Sequence, residues 1–178
     1  MGQLHDRYAI SPALREDIDA LISIDLAAGQ LFAPTGLLPG DALQDHVPPA
    51  VFEQAIDAGD IYKAHDALGT PVGFLLVSHR GGTLYLDQIS VHPDHGRQGL
   101  GTDMMQHLFQ LARQRKLKQV TLSTFRDVPW NAPFYKKLGF REIPRKDMAD
   151  WMLALEHIQA QSLDVSQRCF MVRKIGWL

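Results

Sequence analysis

Three glycines with the spacing Gly-x-x-Gly-x-Gly stand between a predicted strand and a predicted amphipathic helix. They are Gly96, Gly99 and Gly101. The first turn of a helix offers backbone N–H groups without intrahelical partners and the positive end of the helix dipole, and glycine lets a ligand approach the backbone closely. The turn therefore predicts an anion site suited to a diphosphate, although a tight strand-to-helix turn without a ligand would leave the same pattern.

Two common phosphate-binding loops do not match this turn. The dinucleotide-binding fingerprint requires Gly-x-Gly-x-x-Gly, and the spacing here is reversed. The P-loop requires a lysine before its closing Ser or Thr, whereas Gly101 directly precedes Thr102. Both patterns fail.

Hydrophobic periodicity and turn residues predict the elements that position this turn. A helix capped by Ser11 and Pro12 carries apolar residues from Leu14 to Leu26, and a second short helix opens at Asp127 and Pro129 and stops at Gly139. The glycine turn leads into a helix whose apolar stripe is Leu100, Met104, Leu108, Leu111 and Ala112. The other predicted elements are strands at 7–10, 61–65, 72–79, 83–91, 120–125, 140–143 and 169–174 and helices at 51–58 and 147–159. This order predicts an α/β fold with a mixed sheet and helices on both faces, in a single domain over residues 1–178.

The predicted strand 83–91 changes parity along its length. Leu84 and Leu86 occupy even positions, whereas Ile89 and Val91 occupy odd ones. Because a strand keeps one face on one parity, this change indicates a β-bulge at Asp87-Gln88, a feature that often lies beside a site. A strand that is buried on both faces would give the same pattern.

Composition excludes several classes of partner. A formal net charge of −2, without a long run of Lys and Arg, argues against nucleic acid and against an anionic membrane surface. Cys169 is the only cysteine, so no internal disulfide can form and a reducing compartment is expected. The absence of a signal-peptide pattern and of any long apolar run predicts a cytoplasmic protein.

Two segments resemble the signatures of the GNAT superfamily of acetyl-CoA-dependent N-acetyltransferases. Residues 91–101, Val-His-Pro-Asp-His-Gly-Arg-Gln-Gly-Leu-Gly, look like its pyrophosphate motif, and residues 134–140, Phe-Tyr-Lys-Lys-Leu-Gly-Phe, look like its tyrosine helix and Gly-Phe turn. They lie in the family's order and at its usual separation. The resemblance implies a GNAT-like mixed, mostly antiparallel central sheet of about seven strands, with acetyl-CoA as co-substrate.

The resemblance also implies roles for individual residues. The tyrosine of the second motif, Tyr135, would protonate the leaving thiolate, and Asn131 is a further hypothesis for a contact with the pantetheine arm. The family usually has Arg or Gln where Gly96 stands and often an asparagine where Val128 stands. The backbone segments implied in cofactor binding are Ile89, Ser90 and Val91 for the pantetheine arm and Arg97, Gln98, Gly99, Leu100, Gly101 and Thr102 for the pyrophosphate. The Arg97 side chain would lie nearby as a charge partner of the pyrophosphate.

Acetyl transfer to an amine also requires a group that takes a proton from the ammonium form. Asp87 is the candidate base, because it lies at the suspected bulge and matches a place where many relatives carry an acidic residue. A substrate anchor is a second functional role for Asp87. The structural alternatives are an exposed aspartate at a strand edge and a hydrogen bonder at the end of a strand. Packing in a core with a satisfied hydroxyl is the alternative for Tyr135.

The acceptor is predicted from position alone. Asp25, Phe32 and Asp127 would line the amine pocket, together with the Gly- and Pro-rich segment 29–49, which is typical of a binding loop or lid. Acidic residues there would suit a cationic acceptor. The predicted function is direct acetyl transfer to a primary amine of a small molecule. The alternatives are a protein or peptide acetyltransferase acting on an N-terminus or a lysine, and a non-catalytic acyl-CoA-binding module.

Two further expectations concern metals and assembly. His92 and His95 share a loop without the further ligands of a metal site, so we expect solvated histidines and no metal. Dimerisation is common in such folds, and Trp177 could contribute to a homodimer interface.

Overall fold

A computed structural model describes residues 7–176 of the chain, and it contains one seven-stranded sheet. The strand order is β1-β2-β3-β4-β5-β7-β6. Strands β4 and β5 are parallel, whereas the pairs β1·β2, β2·β3, β5·β7 and β6·β7 are antiparallel. The strands are β1 (Tyr8–Pro12), β2 (Ile61–Asp66), β3 (Pro71–Arg80), β4 (Thr83–Val91), β5 (Gln119–Phe125), β6 (Arg141–Glu142) and β7 (Arg168–Lys174). The predicted mixed, mostly antiparallel sheet of about seven strands is confirmed.

Within residues 7–176, five α-helices and six short 3₁₀ segments connect these strands. The helices are α1 (Ile18–Gly29), α2 (Pro49–Ala58), α3 (Leu100–Gln114), α4 (Ala132–Lys137) and α5 (Asp150–Gln159). The 3₁₀ segments are Arg15–Asp17, Gln30–Thr35, Ala42–Gln44, Pro93–His95, Arg145–Asp147 and Val165–Gln167. The predicted apolar stripe of α3 is confirmed, since all five of its residues are buried. Within the described part of the chain, none of the helices has the length and apolar character to cross a bilayer.

Contacts divide the chain into two compact units. The first unit is Met1–Val77 with Gln88–Leu108, and the second is Ser78–Asp87 with Phe109–Leu178. The division falls inside β3, β4 and α3, so it does not follow element boundaries. The single domain over 1–178 stays a prediction, and so does the interface role of Trp177, which lies outside the described residues.

The core of the first unit places helices on both faces of β3. Phe74 of β3 packs edge-to-face on Phe52 of α2 at 5.4 Å between ring centroids, in a buried cluster with Leu21 of α1. On the opposite parity, the α-carbon of Gly73 faces Met104 of α3, whose sulfur would lie 3.3 Å from a Cβ at that position. Successive residues of a strand point to opposite faces. The predicted arrangement of helices on both faces is therefore present in this unit.

The first predicted helix starts later than expected. Ser11 and Pro12 extend β1 opposite Lys63 and Tyr62 of β2 and do not cap a helix. The chain turns only after Ala13 N donates to the Ile61 carbonyl at 3.1 Å. The prediction was wrong because pairing with a distant strand keeps these residues extended.

Three boundaries later in the chain also differ from the predictions. The helix expected from Asp127 begins at Ala132, because Asn131 has a non-helical backbone with φ of −112°. β6 is reduced to the pair Arg141–Glu142, and a 3₁₀ turn at 145–147 delays α5 to Asp150. The end of α4 was predicted correctly, since Gly139 follows with φ of 88°.

The parity change suggested that Ile89 and Val91 would be buried in the second half of β4, and the structure does not bury them. Ser90 is buried there, whereas Ile89 and Val91 are half-buried. From Thr83 to Leu86 every residue is buried, as expected for a strand covered on both faces. The parallel pairing of β4 with β5 joins Leu84–Leu86 to Val120–Leu122. The bulge at Asp87-Gln88 stays a prediction.

Gly81→Ala should destabilise the protein by about 2–4 kcal/mol. The cost of an alanine in a left-handed conformation and the cost of overpacking against Trp151 add to each other. Gly81 has φ of 53°, and an added Cβ would lie 2.6 Å from Cδ1 of Trp151, which packs on Tyr85. Gly82→Ala is the matched control, since Gly82 has φ of 76° and open space around it, so strain of about 1–2 kcal/mol is expected alone. Urea unfolding of both variants measures the difference, and equal losses would contradict this packing.

Candidate active site

The N-terminus of α3 has the geometry that an anion site requires. Asp103 N donates to the Gly99 carbonyl at 3.0 Å as the helix begins. The N–H groups of Leu100, Gly101 and Thr102 therefore have no acceptor within the helix. Gly99 has φ of 85°, and nothing lies within 4 Å of the position a Cβ would take. The space beside the turn is open, so the residues present fit a diphosphate that binds these amides.

Arg97, in the same turn, has a left-handed backbone with φ of 57°. This conformation is uncommon for a residue other than glycine and is often retained at ligand sites. The Arg97 side chain is exposed. Its pairing with a bound diphosphate stays a prediction.

Tyr8 of β1 holds the loop before α3 in place, a role that the sequence analysis missed. Its hydroxyl lies 2.9 Å from His95 Nδ1 and 3.1 Å from Gln98 Oε1, to which it donates. His92 and His95 are both half-buried, so each keeps contact with solvent. Among residues 7–176, no group of three or more His, Cys, Asp or Glu could hold a metal ion.

A hydrogen-bonded network fixes the end of β4 in the first unit. The buried carboxylate of Asp25 accepts from Gln88 Nε2 at 2.9 Å, from Ser90 Oγ at 3.0 Å and from Val47 N at 2.9 Å. Asp25 therefore orients the strand segment that is predicted to pair with the pantetheine arm. Its assignment to the amine pocket stays a prediction.

Three further candidates lie outside the α-helices and strands. Phe32 is half-buried in the 3₁₀ segment after α1, and Asp127 is exposed after β5. Asn131 precedes α4 and accepts from Tyr135 N at 3.0 Å through its carbonyl. The described contacts of Asn131 position the first turn of α4, and its contact with the pantetheine arm stays a prediction.

Tyr135 is buried in the second unit, where its ring packs against two aromatic neighbours. Phe134 and Phe140 lie edge-to-face at 5.3 and 5.7 Å between ring centroids. Burial raises the pKa of the Tyr135 hydroxyl above its usual value, and the positive charge of Arg168 opposes this shift. The hydroxyl keeps its proton at neutral pH, as an acid must before it donates. Packing of the Tyr135 ring in the core is thus compatible with proton donation by its hydroxyl.

Asp87 does not stand alone at the edge of β4. Arg80 Nη2 lies 3.3 Å from Asp87 Oδ1, and the Arg80 guanidinium carbon lies 5.3 Å from the centroid of the Tyr85 ring. Burial, and then the negative charge of Asp87, raise the pKa of Tyr85 to about 12. Sequence reasoning found Asp87 and missed its partner, because Arg80 lies across a turn at the end of the neighbouring strand.

Arg168, the first residue of β7, was also missed. Its Nη2 donates to Ser123 Oγ at 3.3 Å, and its guanidinium carbon lies 4.6 Å from the centroid of the Phe125 ring. Burial lowers the pKa of the Arg168 guanidinium. The sequence offered one signal, a charged residue directly before an apolar strand that was predicted to begin at Cys169.

The one cysteine is a poor nucleophile. Cys169 is buried. Burial raises the pKa of its thiol, so little thiolate is present at neutral pH. This favours direct transfer over a thioester intermediate on the protein.

Comparison with known proteins identifies the fold. The protein resembles the PaiA N-acetyltransferase of Thermoplasma acidophilum in complex with coenzyme A, with a TM-score of 0.70 and 15% identity over 94% of this chain and 98% of that one. It resembles the ribosomal-protein-S18-alanine N-acetyltransferase of Escherichia coli with a TM-score of 0.64 and 18% identity over 96% of each chain. The N-acetylglutamate synthase of Neisseria gonorrhoeae, complexed with coenzyme A and N-acetyl-glutamate, gives a TM-score of 0.71 and 13% identity over 96% of this chain. This chain spans only 35% of that synthase.

Residues 35–140 match the model of the acetyltransferase (GNAT) family. The matched segment includes both sequence motifs, the glycine turn before α3 and the tyrosine of α4. The match confirms the family that these motifs predicted and, with it, an acetyltransferase as the class of enzyme. The protein belongs to the acetyltransferase (GNAT) family.

Proposed function

We propose that this protein transfers the acetyl group of acetyl-CoA directly to the primary amine of a small-molecule acceptor. The observation that carries the proposal is the open glycine turn at Gly99, whose unpaired helix amides suit the diphosphate of the co-substrate. The second unit supports a small polar acceptor, because it groups buried or half-buried charged side chains with a buried tyrosine. These are Arg80, Asp87, Arg168 and Tyr135.

Backbone groups of the protein would bind the co-substrate at two places, the pyrophosphate and the pantetheine arm. The amides of residues 97–102 would hold the pyrophosphate, and the strand segment Ile89, Ser90 and Val91 would pair with the pantetheine arm. When bound, acetyl-CoA supplies an activated acetyl thioester. A backbone N–H at the end of β4 would polarise the thioester carbonyl, a contribution of about 3 kcal/mol in comparable sites.

Two side chains would move protons. The acceptor nitrogen forms its bond to the acetyl carbon as the carbon–sulfur bond breaks, and Tyr135 gives its proton to the departing sulfur. The surplus proton on the nitrogen passes to the Asp87 carboxylate, through water where the distance requires it. Arg80 keeps that carboxylate in place beside Tyr85.

A thiol-release assay with purified protein, acetyl-CoA and a panel of amines tests this function. The panel contains free amino acids, polyamines and other small amines, together with peptides that carry a free N-terminus or lysine. We expect turnover with at least one small amine. Turnover confined to the peptides would support the protein acetyltransferase, and binding of acetyl-CoA without thiol release from any amine would support the non-catalytic module.

A further inference from the structure

A small cavity in the second unit is lined by an unusual number of arginines. Its volume is about 190 Å³, room for roughly six water molecules at about 30 Å³ each, and smaller than a typical drug-sized pocket. It lies between α5 and the strands β6 and β7. Its charged lining residues are Arg126, Arg145, Arg168, Glu142 and Glu156.

Both carboxylates of the cavity are already paired. Arg126 Nη2 lies 2.9 Å from Glu142 Oε1, and Arg145 forms a close ion pair with Glu156. Each of these two arginines therefore has an acidic partner of its own. Arg168 is left as the cavity's unbalanced positive charge.

Arg168 has no carboxylate partner among residues 7–176. Its described contacts are with neutral groups, the Ser123 hydroxyl and the Phe125 ring, and its buried Nε makes no hydrogen bond. Arg168 is half-buried, and a partly desolvated charge without a counter-charge is costly. A guanidinium at a cavity wall is well suited to bind a carboxylate, because its planar donors match the two carboxylate oxygens.

The same arginine acts electrostatically on the tyrosine assigned as the acid. The positive charge of Arg168 opposes the upward pKa shift of both Tyr135 and Tyr85. A carboxylate held by Arg168 would therefore lie within electrostatic reach of Tyr135, which does not itself line the cavity. Such an anchor would bring an acceptor that carries both groups toward the acid.

We propose that Arg168 binds the carboxylate of the acceptor, and that the acceptor is a small amino-carboxylic acid. This inference rests on the proposed acetyl transfer, and it names the substrate class. It differs from the cationic acceptor that the acidic residues suggested at the level of sequence. The chemistry of the cavity wall favours an anionic group on the acceptor at a position separate from the reacting amine.

Binding is tested first, without turnover. N-acetylglycine is the smallest product-like molecule with a carboxylate, and N-acetylglycinamide is its neutral analogue. Ligand-observed NMR with CoA present should show binding of N-acetylglycine at least about tenfold tighter than of the amide, since hydrogen bonds to a charged group are roughly twice as strong as neutral ones. Equal binding of the two probes, or binding of neither, would overturn the proposal.

Two variants locate the anion site. Arg168→Met should abolish the preference for N-acetylglycine, and Arg168→Lys should restore part of it. Arg141→Met is the matched control, because Arg141 is an exposed arginine of β6 outside the cavity lining, and it should leave the preference unchanged. A preference that survives in both Arg168 variants would contradict the assignment.

Kinetics and stability separate this role from a structural one. For amino acids that turn over, Arg168→Met should raise KM at least about tenfold, with a smaller effect on kcat, and their carboxamides should be poor substrates of the wild type. The variant should melt no lower than the wild type, since an apolar side chain replaces a half-buried charge that has no carboxylate partner. A lower melting temperature with an unchanged KM would indicate a structural arginine. Thiol release from no amine, together with intact N-acetylglycine binding, would sink the acetyltransferase proposal and leave the anion site in place.

Discussion

Tyr135→Phe should lower turnover at least about 100-fold while leaving the affinity for CoA within about twofold. Proton transfer by a positioned side chain contributes about 10²–10⁴-fold to rate, and phenylalanine keeps the packing against Phe134 and Phe140 while removing the proton. Steady-state thiol release and calorimetric titration with CoA measure the two effects separately.

Tyr62→Phe is the control for this substitution. Tyr62 lies on β2, and its hydroxyl donates to the Gly59 carbonyl at 3.3 Å, outside the proposed chemistry. Its turnover should match that of the wild type. Equal turnover in Tyr135→Phe and Tyr62→Phe would remove Tyr135 from the mechanism and support the packing alternative.

Gly99→Asp should weaken the affinity for CoA at least about 100-fold. A carboxylate at the N-terminus of α3 would occupy the anion site and repel the diphosphate, and like charges in contact cost several kcal/mol. The side chain itself meets open space, so the fold should persist. Calorimetry with CoA measures the loss.

Gly69→Asp separates the charge from the backbone strain. Gly69 has φ of 84° and Gly99 has φ of 85°, and neither has an atom within 4 Å of its missing Cβ. The two substitutions thus impose the same conformational cost, but Gly69 lies in the β2–β3 turn. A loss of affinity in Gly69→Asp as large as in Gly99→Asp would show that strain, and not the anion site, governs binding.

Local sequence patterns predicted the parts of the fold that depend on near neighbours. The stripe of α3 follows from the 3.6-residue period, and the end of α4 follows from the left-handed conformation of Gly139. The glycine turn and the tyrosine helix were found because each is a contiguous motif. These features need no knowledge of which strands become neighbours.

Long-range contacts explain most of what the sequence did not predict. Ser11 and Pro12 are extended because β2, some 50 residues later, pairs with them. Asp25 is bonded to Gln88 and Ser90 across 63 and 65 positions, and no periodicity links these residues. Arg168 became a candidate only once β7 placed it beside Phe125 of β5. Such partners follow from the topology and not from spacing.

The proposed acetyl transfer depends most directly on the binding of a diphosphate by the helix amides at Leu100–Thr102. Calorimetric titration of the wild-type protein with CoA and with pantetheine, which lacks the diphosphate, tests this claim. We expect saturable 1:1 binding of CoA and at least about 100-fold weaker binding of pantetheine, since several charge-assisted hydrogen bonds are lost. Absence of saturable heat with CoA, or equal affinity for the two molecules, would contradict the proposed site.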